Sequence, residues 1–124
     1  MSQARIQRVA EQIKKEIGRI IQEELNDPRI GFVTITGVDL SPDLHLARVY
    51  FSFLGSKEQL RSTQIGLQRS AGYVRRLIGQ RIKIRYTPEI RFKLDTGIEQ
   101  SFHIAGILEK LKRKEDSHDG KKGN

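Results

Sequence analysis

No cysteine occurs among the 124 residues, which excludes disulfides, thiolate nucleophiles and sulfur-ligated metals and fits a reducing compartment. No run approaches 18 apolar residues, so no membrane span is expected. The opening MSQARIQRVAEQIKKE interleaves charges throughout and contains no apolar core of a secretory leader. The expectation is a soluble, cytoplasmic protein. Missing too are the GxxxxGK[ST] phosphate loop, the GxGxxG fingerprint and the GxSxG elbow. His45, His103 and His118 fall in a turn-to-strand junction, a helix and the tail, without HxH or HExxH spacing. They read as ordinary surface or boundary histidines, so neither metal nor cofactor is expected. Catalysis is not expected either. One enzymatic alternative stands, a small magnesium-dependent nuclease using the strand-end carboxylates Asp39, Asp43 and Asp95, which otherwise read as turn caps.

What the chain does have is a basic surplus in one place. Its formal net charge is +8. Residues 1–68 hold nine Lys/Arg against eight Asp/Glu, residues 69–93 eight against one, and residues 94–124 six against six. A surplus confined to 25 residues makes a local field able to attract a polyanion, whereas an even spread would only solvate the surface. Nucleic acid is the expected partner; an anionic membrane and a solubility device are the other readings of that charge.

The length accommodates one hydrophobic core. From Ile6, apolar residues at Val9, Ala10, Ile13, Ile17, Ile20, Ile21 and Leu25 follow the i, i+3, i+4, i+7 stripe of an amphipathic helix, with Lys14, Lys15, Arg19 and Glu23 opposite. Asn26-Asp27-Pro28 ends it. FVTITGVDL (32–40) alternates as a strand, with Gly37 placed as a bulge would be. Ser41-Pro42-Asp43 is a turn. The returning run to Leu54 puts Ala47, Val49, Phe51 and Phe53 on one face and Arg48, Tyr50 and Ser52 on the other. Leu60, Gln64, Leu67, Ala71, Val74 and Ile78 then share one side of a second helix, with Gly79 as its C-cap. From Ile82 to Leu94 the period is two, Ile84, Tyr86, Ile90, Phe92 and Leu94 facing one way; Pro88 within the run marks an edge strand or a local break. Thr96 with Glu99 opens a last helix bearing Ile98, Phe102, Ala105, Leu108 and Leu111. The order is α-β-β-α-(kink)-α-β-α, an α+β domain over residues 1–112. RKEDSHDGKKGN has nothing apolar to bury, so residues 113–124 read as a disordered charged tail.

The second helix places Ser70-Ala71-Gly72 in mid-run, where glycine costs about 1 kcal/mol relative to alanine. On one reading, small residues admit a neighbouring backbone and the helix bends. On the other, Gly72 exposes backbone N–H groups to a phosphate beside Arg69, Arg75 and Arg76. The two are compatible. Lys83, Arg85, Arg91 and Lys93 point away from the apolar side of the last strand, and with the helix arginines would make one basic surface if strand edge and kink adjoin. Base stacking has less support: Tyr50 and Tyr73 lie off the apolar faces, but nothing places them together. Phosphate and shape contacts are expected to dominate.

Residues 27–55, DPRIGFVTITGVDLSPDLHLARVYFSFLG, and 70–95, SAGYVRRLIGQRIKIRYTPEIRFKLD, following RIQRVAEQIKKEIGRIIQEEL, closely resemble ribosome-binding factor A, a family of bacterial factors for small-subunit maturation. The match runs in order and spacing over about residues 2–112. It implies a type-II KH-like fold, a three-stranded sheet with helices packed on one face, in which an Ala-x-Gly kink interrupts the helix in place of a GxxG loop; Ser70, Ala71 and Gly72 hold the matching positions, with serine for the first alanine. It also implies a non-enzymatic monomer that binds the free 30S ribosomal subunit, assists late 16S rRNA maturation including the 5′-end region, supports growth in the cold and works beside a ribosome-dependent maturation GTPase. The candidate RNA-binding set is Arg69, Ser70, Ala71, Gly72, Arg75, Arg76, Arg81, Lys83, Arg85, Arg91 and Lys93. A general basic RNA- or DNA-binding protein is the alternative.

Overall fold

Ser2 caps the first helix by accepting from the Arg5 amide at 3.2 Å, in a computed structural model that describes residues 2–25 and 27–97. Helix α1 (Gln3–Glu23) buries Ala10, Ile13, Ile17 and Ile20, the stripe its 3.6-residue period dictates. Strands β1 (Phe32–Leu40) and β2 (Leu46–Leu54) form an antiparallel hairpin. The register slips between Ile35 and Gly37, so Thr36 is the extra residue of a bulge, and its hydroxyl donates to Asp95 Oδ2 at 2.6 Å. The turn at Ser41-Pro42-Asp43 is closed by Leu44 in the left-handed region, φ 64°, with Asp43 accepting from the Ser41 hydroxyl and the His45 amide.

Helix α2 (Lys57–Arg81) starts at a capping box, in which the Ser56 hydroxyl accepts from the Gln59 amide and the Gln59 side chain accepts from the Ser56 amide. It then returns the chain to β3 (Glu89–Leu94), which pairs parallel with β2. Only a long crossover can join parallel neighbours, and α2 is that crossover. The sheet order is β1-β2-β3, so β3 is an edge strand, as the proline suggested. Alternation puts Val33, Ile35, Val38 and Leu40 on the same face as Ala47, Val49 and Phe51, and as Ile90 and Phe92. Against that face pack Ile13, Ile17 and Ile20 of α1 and Val74 and Ile78 of α2, with α1 over β1 and α2 over β3. The domain is α+β with both described helices on one face of a three-stranded sheet, as the type-II KH-like fold requires.

Several local expectations change. The last strand begins at Glu89, not Ile82: Pro88 has no amide to give the ladder, and pairing starts when the Glu89 amide reaches the His45 carbonyl at 2.9 Å. Tyr86 therefore leaves the apolar face and is 57% exposed. Gly79 is not a cap, because α2 continues to Arg81 and ends on the Ile82 amide bonding the Ile78 carbonyl; a Cβ at position 79 would stand 2.7 Å from Thr87 Oγ1, so glycine is required for close approach. Tyr50 is buried although it points to the sheet face opposite the helices. Helical phase does continue through Ser70-Ala71-Gly72, and the bonded run has no break there. The local mark is a bond from Ser70 Oγ to the Gly66 carbonyl at 2.9 Å, an i−4 back-bond of the kind that bends helices. The helix expected after Thr96 and the tail 113–124 lie outside the described residues.

Candidate nucleic-acid interface

Burial of Leu67, Val74 and Ile78 on the sheet side of α2 forces Arg69, Gly72 and Arg76, at i, i+3 and i+7, onto its solvent side, where all three are exposed. Tyr73, 40% exposed, stands beside them. A Cβ built on Gly72 meets nothing within 4 Å, so no neighbouring backbone approaches, and that structural reading of the glycine falls. The amide reading falls too, since 72 lies inside a continuous helix whose N–H groups already bond carbonyls one turn back. What Gly72 leaves is a bare stretch of helix surface between two arginines. Ser70 and Ala71 are half-buried; Ser70 is occupied by the Gly66 carbonyl and Ala71 packs against the core.

Arg75, on the flank, is committed to the fold: its Nε and one terminal nitrogen donate to the Thr87 carbonyl at 3.2 and 3.0 Å. With Thr87 against Gly79 and Pro88 fully buried, this clamps the segment between α2 and β3. That segment presents Lys83 and Arg85, both exposed. Arg81 is committed as well, bonding Glu16 of α1 and Glu24 at its C-cap, and the carboxylates raise the guanidinium pKa, the Glu24 hydrogen bond foremost. Arg91 pairs within its own strand with Glu89 at 3.0 Å. Arg76, Lys83 and Lys93 have no ion pair among the described residues.

The structure divides the basic residues between two faces. Arg91 and Lys93 sit in register with Arg48 and Tyr50, on the sheet face away from the helices, while Arg69 and Arg76 lie on the outer side of α2. The two sets are joined only around the β3 edge, through Lys83 and Arg85. A single flat basic surface is not formed, because alternation along β3 sends its cations to the face opposite the one α2 covers.

The 27–31 segment locks against the N-terminal half of α2. Thr63 Oγ1, buried, accepts from the Gly31 amide at 3.0 Å and donates to the Arg29 carbonyl. Ser62 adds a second bond to that carbonyl, and Ile30 Cγ1 fills the space a Cβ on Gly66 would need. Asp27 is held at a pKa of about 2, chiefly by the Arg29 side-chain hydrogen bond, with Arg69 contributing its charge.

The three strand-end aspartates do not converge. Asp43 binds its own turn, Asp95 accepts from Thr36 and the Gly97 amide, and no group of three potential ligands occurs among the described residues. No described helix is long and apolar enough to cross a membrane. Sequence reasoning missed Tyr86 as an exposed aromatic and the commitment of Arg75 and Arg81; a proline two residues after Tyr86, and glutamates within and just after α1, were the available signals.

An α-β-β-α-β domain with a parallel β2/β3 pair and a small-residue segment in the crossover helix defines a KH-like α+β module. Comparison gives the family: the description "Ribosome-binding factor A" matches residues 5–108, and the chain belongs to that family. The ribosome-binding factor A of Desulfitobacterium hafniense is 48% identical over 120 residues, 97% of this chain and 96% of its own. Among solved structures, a Thermotoga maritima protein determined in solution is similar at 40% identity and TM-score 0.66, covering 76% of this chain and 90% of that one. A Thermus thermophilus ribosome-binding factor A homology model, fitted into a cryo-EM map of a 30S–RbfA complex, is similar at 28% identity and TM-score 0.54, covering 68% of this chain and 88% of that one.

Proposed function

We propose that this chain is a non-catalytic assembly factor that binds the free 30S subunit and assists late 16S rRNA maturation, 5′-end processing included, as a cytoplasmic monomer with a role in growth in the cold. A ribosome-dependent GTPase is the expected functional neighbour. The observation that carries the RNA contact is the set of exposed cations Arg69, Arg76, Lys83, Arg85 and Lys93, gathered around α2 and the β3 edge. Family membership and the Thermus thermophilus relative's 30S complex supply the subunit. Phosphates carry no sequence information, so recognition rests on the fit of two basic faces meeting at an edge, a shape that suits folded rRNA rather than a straight duplex. Arg75 and Arg81 hold the frame and do not face the RNA.

Co-sedimentation with 30S, 50S and 70S particles over a salt series, with excess random duplex DNA, tests this. Retention on 30S alone is expected, log affinity falling against log salt with a slope of about −4 if five phosphates are neutralised. Equal retention on every particle and on DNA would reduce the chain to a general polyanion binder.

A further inference from the structure

Tyr86 is an exposed aromatic that the phosphate-contact reading leaves without a role. It stands between Arg85 and Thr87 in the clamped connection to β3, and 57% of its surface is exposed. A tyrosine left in solvent is ordinary; this one is held from several directions. The His45 ring meets it edge-on, centroids 5.9 Å apart and planes inclined by 62°. The Arg85 guanidinium lies 5.7 Å from the ring centroid. Its backbone is fixed downstream by Arg75 on the Thr87 carbonyl, by Pro88 in the core and by the Glu89 amide on the His45 carbonyl. His45 is positioned in turn by Asp43 Oδ2 at 3.3 Å from Nδ1.

We infer that Tyr86, held by the His45 ring at its edge and by the Arg85 guanidinium over the ring, offers its exposed surface as a stacking platform for an unpaired nucleobase, a reading that rests on the proposed rRNA-binding function and adds a base contact to it. A ring fixed at its base and open to solvent gives up little conformational freedom when a base lands on it, and any base has the π-face to do so. The neighbouring cations supply the charge for the phosphates on either side of that base. Single-stranded loops and bulges of a folded RNA offer such bases; duplex does not.

The chain contains no tryptophan, so Tyr86→Trp introduces a single indole reporter at the platform. Its emission is expected to be quenched saturably by single-stranded octariboadenylate and left unquenched by an abasic oligomer of equal length and charge. In 30S co-sedimentation, Tyr86→Ala is expected to weaken binding roughly tenfold, while Tyr86→Phe, which keeps the ring and loses the hydroxyl, matches wild type. Equal quenching by the abasic oligomer overturns the stacking role. So does wild-type 30S affinity for Tyr86→Ala when Arg69→Glu with Arg76→Glu abolishes binding, an outcome that leaves the rRNA-binding reading intact. Wild-type affinity in all these variants would sink both.

Discussion

Replacing Gly72 by alanine separates a glycine kept for folding from one kept for access. The position is mid-helix, φ is helical, and an added Cβ meets nothing within 4 Å. Alanine then gains about 1 kcal/mol in helix propensity with no packing cost to offset it. For a chain of this size that is about +4 °C in Tm. Gly66→Ala in the same helix is the internal control: its Cβ would stand 2.8 Å from Ile30 Cγ1, so overpacking of about 1–3 kcal/mol meets the same gain and the net change is neutral to destabilising. Circular dichroism melts of the two variants and wild type should order Gly72→Ala above wild type and Gly66→Ala at or below it. A lower Tm for Gly72→Ala would refute the geometry argued for α2. Gly72→Leu should also fold, and if the bare helix surface between Arg69 and Arg76 is a phosphate approach, its 30S affinity should fall about tenfold while its melt stays at or above wild type.

Arg69→Glu with Arg76→Glu should strongly weaken 30S co-sedimentation and leave the melt near wild type, since Arg76 has no ion pair among the described residues and Arg69 touches Asp27 only through a minor charge contribution; unchanged affinity would remove the stripe from the interface. Arg75→Ala should instead lower stability by about 1 kcal/mol through the lost bonds to the Thr87 carbonyl, and an unchanged Tm would show the clamp to be inert. Asp27 has its pKa depressed from 3.8 to about 2, so its contribution is complete above 3.8 and is lost as pH falls through about 2. An acid titration of the melt should accordingly be shallower in that window for Asp27→Asn than for wild type; superimposable curves would count against the Asp27–Arg29 pairing.

The first helix and the hairpin were legible because a buried stripe at 3.6 and a half-buried alternation at 2.0 are each imposed by one packing contact. Gly37 announced its bulge for the same reason, by breaking an alternation. The start of β3 was not legible: Ile82, Ile84 and Tyr86 alternate like a strand, and only the parallel partner, which no local pattern encodes, decides that pairing waits until after Pro88. Gly79 looked like a cap because glycine after a last apolar residue is ambiguous between a left-handed turn and a close contact, and the contact with Thr87 is tertiary. The basic set was found as a list but not as a shape. Charge can be counted along a chain, whereas the commitment of Arg75 to a carbonyl and of Arg81 to two glutamates, and the division of the rest between two faces, arise only on folding.

All sheet pairing passes through β2, and its two partners differ in how the chain reaches them. β1 is joined to it by a short turn, so that hairpin closes locally; β3 arrives only after the whole of α2 has crossed over, at a much larger loop-closure cost. The segment that carries the cations and Tyr86 should thus be the last part of the sheet to dock and the first to detach, opening as a unit while the hairpin and α1 stay folded. Hydrogen exchange at the amides of residues 89–94 should report that opening as faster than exchange in β2's pairing with β1. A ligand that grips this edge should therefore slow that exchange, because binding only the docked form holds the domain closed behind it.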